Sequence, residues 1–174
     1  MIDIETLATS SDAALVSIAA VRFDLATGII GDSIYIKIDK QSCLDYGLVV
    51  DADTVDWWMR QSKEAQEYFL TTEDRVSLPQ ALLDFNDFFE FKTDYVWGNG
   101  INFDCAILRN AYKATELPLP WSYFNELDVR TLVHFAPEIR KQEPFVGVKH
   151  HPIADCKHQI KYCCKIYNKL NFDN

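Results

Sequence analysis

The chain has 174 residues, of which 48% are hydrophobic, and a net charge of -9. That length supports one substantial core, so a single domain over residues 1–174 is expected, and no run approaches the eighteen or so apolar residues of a membrane span. The N-terminus lacks a basic segment leading into an apolar stretch, which argues against a secretory signal and points to the cytoplasm. Five cysteines without C-x-x-C spacing imply buried reduced thiols and not a disulfide framework. Zinc held by Cys163 and His158 is a poor candidate, because adjacent cysteines such as Cys163 and Cys164 diverge by about 100° on a helix.

Residues 1–6 and 14–24 are rich in alternating and β-branched apolar side chains, and residues 33–38 alternate through Ile34, Ile36 and Ile38, so three strands open the fold. Thr27-Gly28 turns between the second and third. Asp53 is placed to cap a helix containing Trp57, Trp58 and Gln61. Ser77 is placed to cap another, in which Leu78, Leu82, Phe85, Phe88 and Phe89 recur at helical spacing. Residues 95–97 read as a short strand closed by Gly98, Asn99 and Gly100, with a helix following over 103–112. A further strand is expected at 127–129, a flexible stretch at 136–149, and a last helix with Pro152 in its first turn and Ile153, Ile160, Tyr167 and Leu170 as its buried stripe. Strands first, then alternating helices and strands, imply an α/β fold with a mixed central sheet flanked by helices.

Charge is unevenly distributed. Residues 1–129 carry a net -13 and residues 130–174 a net +4. The overall sign disfavours broad wrapping of a phosphate backbone, whereas a basic C-terminal third suits local binding of a short strand. Lys157, Lys161, Lys165 and Lys169 recur every fourth residue and form one ribbon, which is more often a plain solvated face than a phosphate contact.

Asp3 and Glu5 alternate along the first strand, so both side chains project from one face while Ile2 and Ile4 project from the other. An isolated D-x-E is more often a solvated acidic pair. Asp104 falls in the first turn of a helix that follows a strand and a glycine turn, where open α/β sheets collect their ligands. Its bland role is to interact with the helix dipole. His150 precedes the last helix and Asp155 lies within it. Imidazole suits general-base work near neutrality, and His134, His151 and His158 read as ordinary surface or core residues. Four carboxylates and one imidazole are the inventory for holding two divalent cations and deprotonating a water beside a phosphodiester.

The segments MIDIETLATSSDAALVSIAAVRFD, DTVDWWMRQS, VWGNGINFD and HHPIADCKHQ, in this order, resemble the DEDDh branch of the DnaQ-like, RNase H-fold 3′-5′ exonucleases. They look closest to a phage-type subgroup that includes the DexA exonuclease and the mycobacterial RNase-T-like exoribonuclease. The resemblance implies that the first motif falls on Asp3 and Glu5, the second on Asp104 and the third on His150 with Asp155. His150 fits better than His151, which leaves one residue too few before Asp155. It further implies a two-metal mechanism with Mg2+ or Mn2+ held by Asp3, Glu5, Asp104 and Asp155, His150 as base, and nucleoside 5′-monophosphates as products. Thr6 and Leu7 stand where the family contacts the terminal nucleotide. Of Trp57 and Trp58, one is expected in the core and one at the substrate, with Trp58 a candidate for the latter.

The partner implied is a DNA or RNA 3′ end, in single strands or overhangs, with DNA weakly favoured, and dimerisation is common among such relatives. Two other readings remain open: a nucleic-acid-end binding module without turnover, and a phosphodiesterase acting on dinucleotides. The family usually has several residues before its first acidic position, and here there are two, Met1 and Ile2. A frayed first strand, or a start further upstream, is therefore expected. GNGINFD also lacks the histidine-asparagine pair common in proofreading relatives, so a stand-alone enzyme is favoured.

Overall fold

Alternating burial along the first strand orients the elements around it. In the computed structural model, which describes residues 1–90, 94–148 and 150–172, β1 (Ile2–Thr6) turns Ile2 and Ile4 into one apolar cluster and leaves Asp3 and Glu5 on the opposite face. β1 pairs antiparallel with β2 (Leu15–Phe23), β2 antiparallel with β3 (Ile30–Ile38), and β4 (Arg75–Val76) joins β3 in parallel. β5 (Val96–Gly98) lies against β1 and pairs in parallel with β6 (Glu126–Asp128). The expected mixed α/β architecture is present. β2 is buried on both faces over most of its length, which explains its near-continuous apolar run.

The fraying expected of β1 does not occur. Met1 and Val21 exchange backbone hydrogen bonds at 2.9 and 2.8 Å, and the ladder continues from Ile2 opposite Ala20 to Glu5 opposite Ser17.

The helices are α1 (Lys40–Asp45), α2 (Ala52–Met59), α3 (Lys63–Leu70), α4 (Leu78–Asp87), α5 (Asp104–Ala114), α6 (Val129–His134), α7 (Pro137–Gln142) and α8 (Pro152–Phe172). Asp51, not Asp53, caps α2, because its carboxylate accepts from the Asp53 N–H, and Gln61 lies beyond the end of that helix. The stretch expected to be flexible contains α7. Pro137 starts that helix, Glu138 lies in its first turn, and Arg140 and Lys141 lie in its last, all in accord with the helix dipole.

Two apolar clusters sandwich the sheet. The first, around Leu15, Ile18, Ile38, Leu82, Phe85 and Leu108, lies under α1 to α5. The second joins Met1, Val21 and Val129 to Cys156, Ile160 and Cys163 of α8. The buried stripe of α8 is therefore built from cysteines, Ile160, Tyr162 and Ile166. Of the expected stripe only Ile160 is buried, and Leu170 is exposed. All five cysteines are buried and free.

Trp58 anchors the far end of β1. It is 2% exposed, its indole stacks on Phe69 with centroids 5.3 Å apart, and its Nε1 donates to the Thr6 carbonyl at 2.9 Å. Trp58→Phe keeps an aromatic ring but leaves that buried carbonyl without its donor. The expected loss is about 1–3 kcal/mol, read as a fall of several degrees in the thermal melt; an unchanged melt would refute the anchor.

Candidate active site

Asp3 and Glu5 come from alternate positions of β1, and Asp155 from the first turn of α8. Each offers an oxygen, and the three oxygens lie within 4.8 Å of one another. Regular pairing breaks directly after Glu5, where the register with β2 shifts. Such bulges bend a strand beside active sites. Beyond it the chain turns, and the Thr6 hydroxyl donates to the Ala8 carbonyl at 2.7 Å.

Asp104 is the first residue of α5 and is 4% exposed. Its carboxylate accepts from the Ile4 N–H, which ties the start of α5 to β1. It also packs over Gly98, where an added Cβ would sit 3.1 Å from its Oδ2. The next glycine, Gly100, adopts φ 111° beneath the Arg130 guanidinium, and a Cβ there would meet the Arg130 Cζ at 2.8 Å. Asp128 holds this loop in place. One of its carboxylate oxygens accepts from the Ile101 N–H at 2.9 Å, while the other caps α6 through the Thr131 N–H at 2.8 Å.

Burial, above all, raises the Asp3 carboxyl well above the usual carboxylate range, and Asp104, Glu5 and Asp155 raise it further; a hydrogen bond from Gln159 acts against them. Glu5 is raised by burial and then by Asp155 and Asp104. Asp104 is pushed up to about 7, chiefly by burial, although the Ile4 N–H and the Arg130 charge oppose the shift. The result is a cluster of hard oxygen donors whose mutual repulsion a divalent cation such as Mg2+ or Mn2+ would relieve, so the residues present fit such an ion.

His150 adopts φ 64°, a backbone conformation uncommon outside glycine but one in which histidine is enriched. Its ring lies 5.0 Å from that of Trp57, edge to face, and 6.2 Å from that of Trp58. His151 points elsewhere, its ring 5.2 Å from Tyr35 and 4.5 Å from Tyr68, where burial lowers its pKa. Adjacent histidines are thus separated into one beside the tryptophans and one packed between tyrosines.

A cavity of about 500 Å³ opens beside Glu5, lined by Thr6, Thr9, Thr54, Trp57 and Phe103 among others. Trp58 reaches it, but only from within the core. Trp57 also lines the cavity and is 41% exposed, so of the two tryptophans it, and not the expected Trp58, presents the more open ring. Leu7 is also corrected. It is 4% exposed within the first apolar cluster and does not line the cavity, because the turn after Glu5 carries it inward. Gln159, which the sequence does not single out, stands four residues after Asp155 on the same helix face and donates to Asp3.

Fold and site together define a nuclease-like class. The crystal structure of cell-death related nuclease 4 (CRN-4) superposes with a TM-score of 0.63 at 12% identity, over 96% of this chain and 63% of that one, which shows a shared fold. The exodeoxyribonuclease of Enterobacteria phage T4 is 26% identical, over 76% of this chain and 69% of that protein. Residues 1–167 match the 3′-5′ exoribonuclease Rv2179c-like domain, and the chain belongs to this family of 3′-5′ exonucleases, hydrolases of nucleic acid.

The raised Asp104 carboxyl has a signed consequence for stability. Its pKa is higher folded, at about 7, than unfolded, near 3.8, so the folded state holds a proton the unfolded state lacks between those values. The penalty is fully present above pH 7 and absent below the unfolded value. Asp104→Asn in EDTA is therefore expected to melt several degrees above wild type at pH 8, with the gap shrinking as pH falls towards 4. A gap independent of pH would refute this.

Proposed function

We propose that the chain acts as one metal-dependent exonuclease domain, removing nucleotides from the 3′ end of single strands or 3′ overhangs and releasing nucleoside 5′-monophosphates. The observation carrying this reading is the convergence of the Asp3, Glu5 and Asp155 oxygens within 4.8 Å, with Asp104 close enough to raise the Asp3 pKa. Asp3, Glu5 and Asp155 would hold one Mg2+ or Mn2+, and Asp3 with Asp104 a second. When bound, such ions acidify a water and stabilise charge on the attacked phosphate and the leaving 3′ oxygen.

The chain's own residues do the rest. His150 takes the proton of the attacking water on an imidazole nitrogen, and the ring of Trp57 limits where that imidazole can swing. Trp57 and Phe103 offer faces for the terminal base in the cavity beside Glu5, and Thr6 lies at its floor. DNA is favoured over RNA, a preference supported by the likeness to the phage exodeoxyribonuclease. The family's description points to RNA, and parallel substrates decide between them.

With Mg2+ or Mn2+, 5′-labelled oligonucleotides are expected to shorten stepwise, and EDTA to stop them. Asp104→Ala should lower the rate by roughly a hundredfold or more; an active Asp104→Ala would sink the site assignment. Assaying single-stranded DNA, RNA and 3′-overhang duplexes side by side ranks the substrates. His150→Ala should lower kcat by about 10²–10⁴-fold, with His151→Ala close to wild type. Equal losses in the two variants would remove His150 from its role.

A further inference from the structure

Gln159 is buried at 4% exposure on α8, one helical turn beyond Asp155 and facing β1. Its Nε2 donates to Asp3 Oδ1 at 3.1 Å. Its Oε1 is also buried and has no hydrogen-bond partner among the described residues. An amide left half unsatisfied in a protein interior costs stability, so its retention calls for a compensating role.

The acceptor fixes which end of the amide faces β1. In the ionised form that a bound cation requires, Asp3 has no proton to give, and the NH2 end of Gln159 is the end that meets it. Asp3 is the central carboxylate, flanked along β1 by Glu5 and across the site by Asp155 and Asp104. A donor on one of its oxygens sets the rotation of the carboxylate plane, and with it the direction in which the second oxygen points. Glutamate at 159 would add a further negative charge against Asp3, and an aliphatic side chain would leave its rotation free.

We propose that Gln159 is a positioning residue for the metal site, locking the Asp3 carboxylate in the orientation that receives a divalent cation. This rests on the proposed metal-dependent reading, and acts through Asp3 without touching substrate. Outer-shell donors of this kind typically change metal affinity by about 10- to 100-fold.

The test measures Mn2+ binding to the full chain from the electron paramagnetic resonance signal of free Mn2+, which needs no turnover. Gln159→Met, similar in volume but without a donor, is expected to raise the Mn2+ dissociation constant about tenfold. At saturating Mn2+, KM for an oligonucleotide should stay unchanged. Gln159→Asn keeps an amide but draws it back by one methylene; it carries the same expectation and covers the case in which the thioether is not accommodated. A lower melting temperature in EDTA with wild-type Mn2+ affinity would assign Gln159 to packing alone and overturn the proposal. Absence of Mn2+ binding by wild type would overturn it too. Wild type that binds Mn2+ yet releases no mononucleotide would instead sink the exonuclease reading, while the comparison of variants still decides the role of Gln159.

Discussion

The contact between β1 and α8 forces together carboxylates that repel one another. Asp3 and Glu5 belong to the first strand and Asp155 to the last helix, so nothing local in the chain holds them close. What holds them is the second apolar cluster, in which Cys156, Ile160 and Cys163 of α8 pack against Met1 and Val21. Cysteine is small and apolar, so these side chains let the helix approach the sheet closely, and the Cys156 Sγ lies 3.6 Å from the Met1 carbonyl. Burial of that seam offsets the cost of placing the carboxylates there, visible in Asp3 and Glu5 pKa values raised first by their own burial and then by the charge of neighbouring carboxylates. The site is thus held under electrostatic strain that a bound cation would reverse.

The remaining elements aim what this seam brings together. Asp104 is steered by the Ile4 N–H on one side and by the bare backbone of Gly98 on the other. The end of β1 is held by Trp58, and Asp128 supports the loop through which the chain passes from β5 to α5. α7 and Glu143 just past its end are bound to α8 by ion pairs of Glu138 with Lys169 and Glu143 with Lys165. Half of the lysine ribbon on α8 is therefore engaged in intramolecular contacts, and the ribbon is not a continuous surface for phosphate.

Legibility followed the range of the interactions. The first three strands, Asp104 at the start of a helix, and Asp155 inside the last helix all follow from period and capping, which are local. Asp3 and Glu5 could be assigned to one face because alternation in a strand is strict. What failed depended on distant partners. Leu7 looked available beside the acidic pair, but the bulge after Glu5 turns it inward. Trp57 and Trp58 are equivalent in sequence, and only Phe69 and the Thr6 carbonyl decide which is buried. α7 escaped notice because six residues carry too little periodicity to read, and its anchors lie on α8. The buried stripe of α8 differs from the expected one for a related reason: three cysteines fill it together with Ile160, Tyr162 and Ile166.

The charge distribution bears on how such a site would engage nucleic acid. A body with a net charge of -9 repels a phosphate backbone at long range, and salt would weaken that repulsion. On the proposed reading, attraction is left to short-range groups: cations that the carboxylates would hold, aromatic faces at Trp57 and Phe103, and the exposed Arg130 guanidinium over Gly100. All of these lie within or beside the carboxylate cluster. On that reading, a protein that attracts the strand mainly at the site gains little from the interior of a long chain, because the added phosphates meet a body of net negative charge. On the proposed reading, preference for ends follows from electrostatics as much as from the shape of the cavity, because the terminal nucleotide is the part that can reach the cations while extending the fewest phosphates over the acidic body.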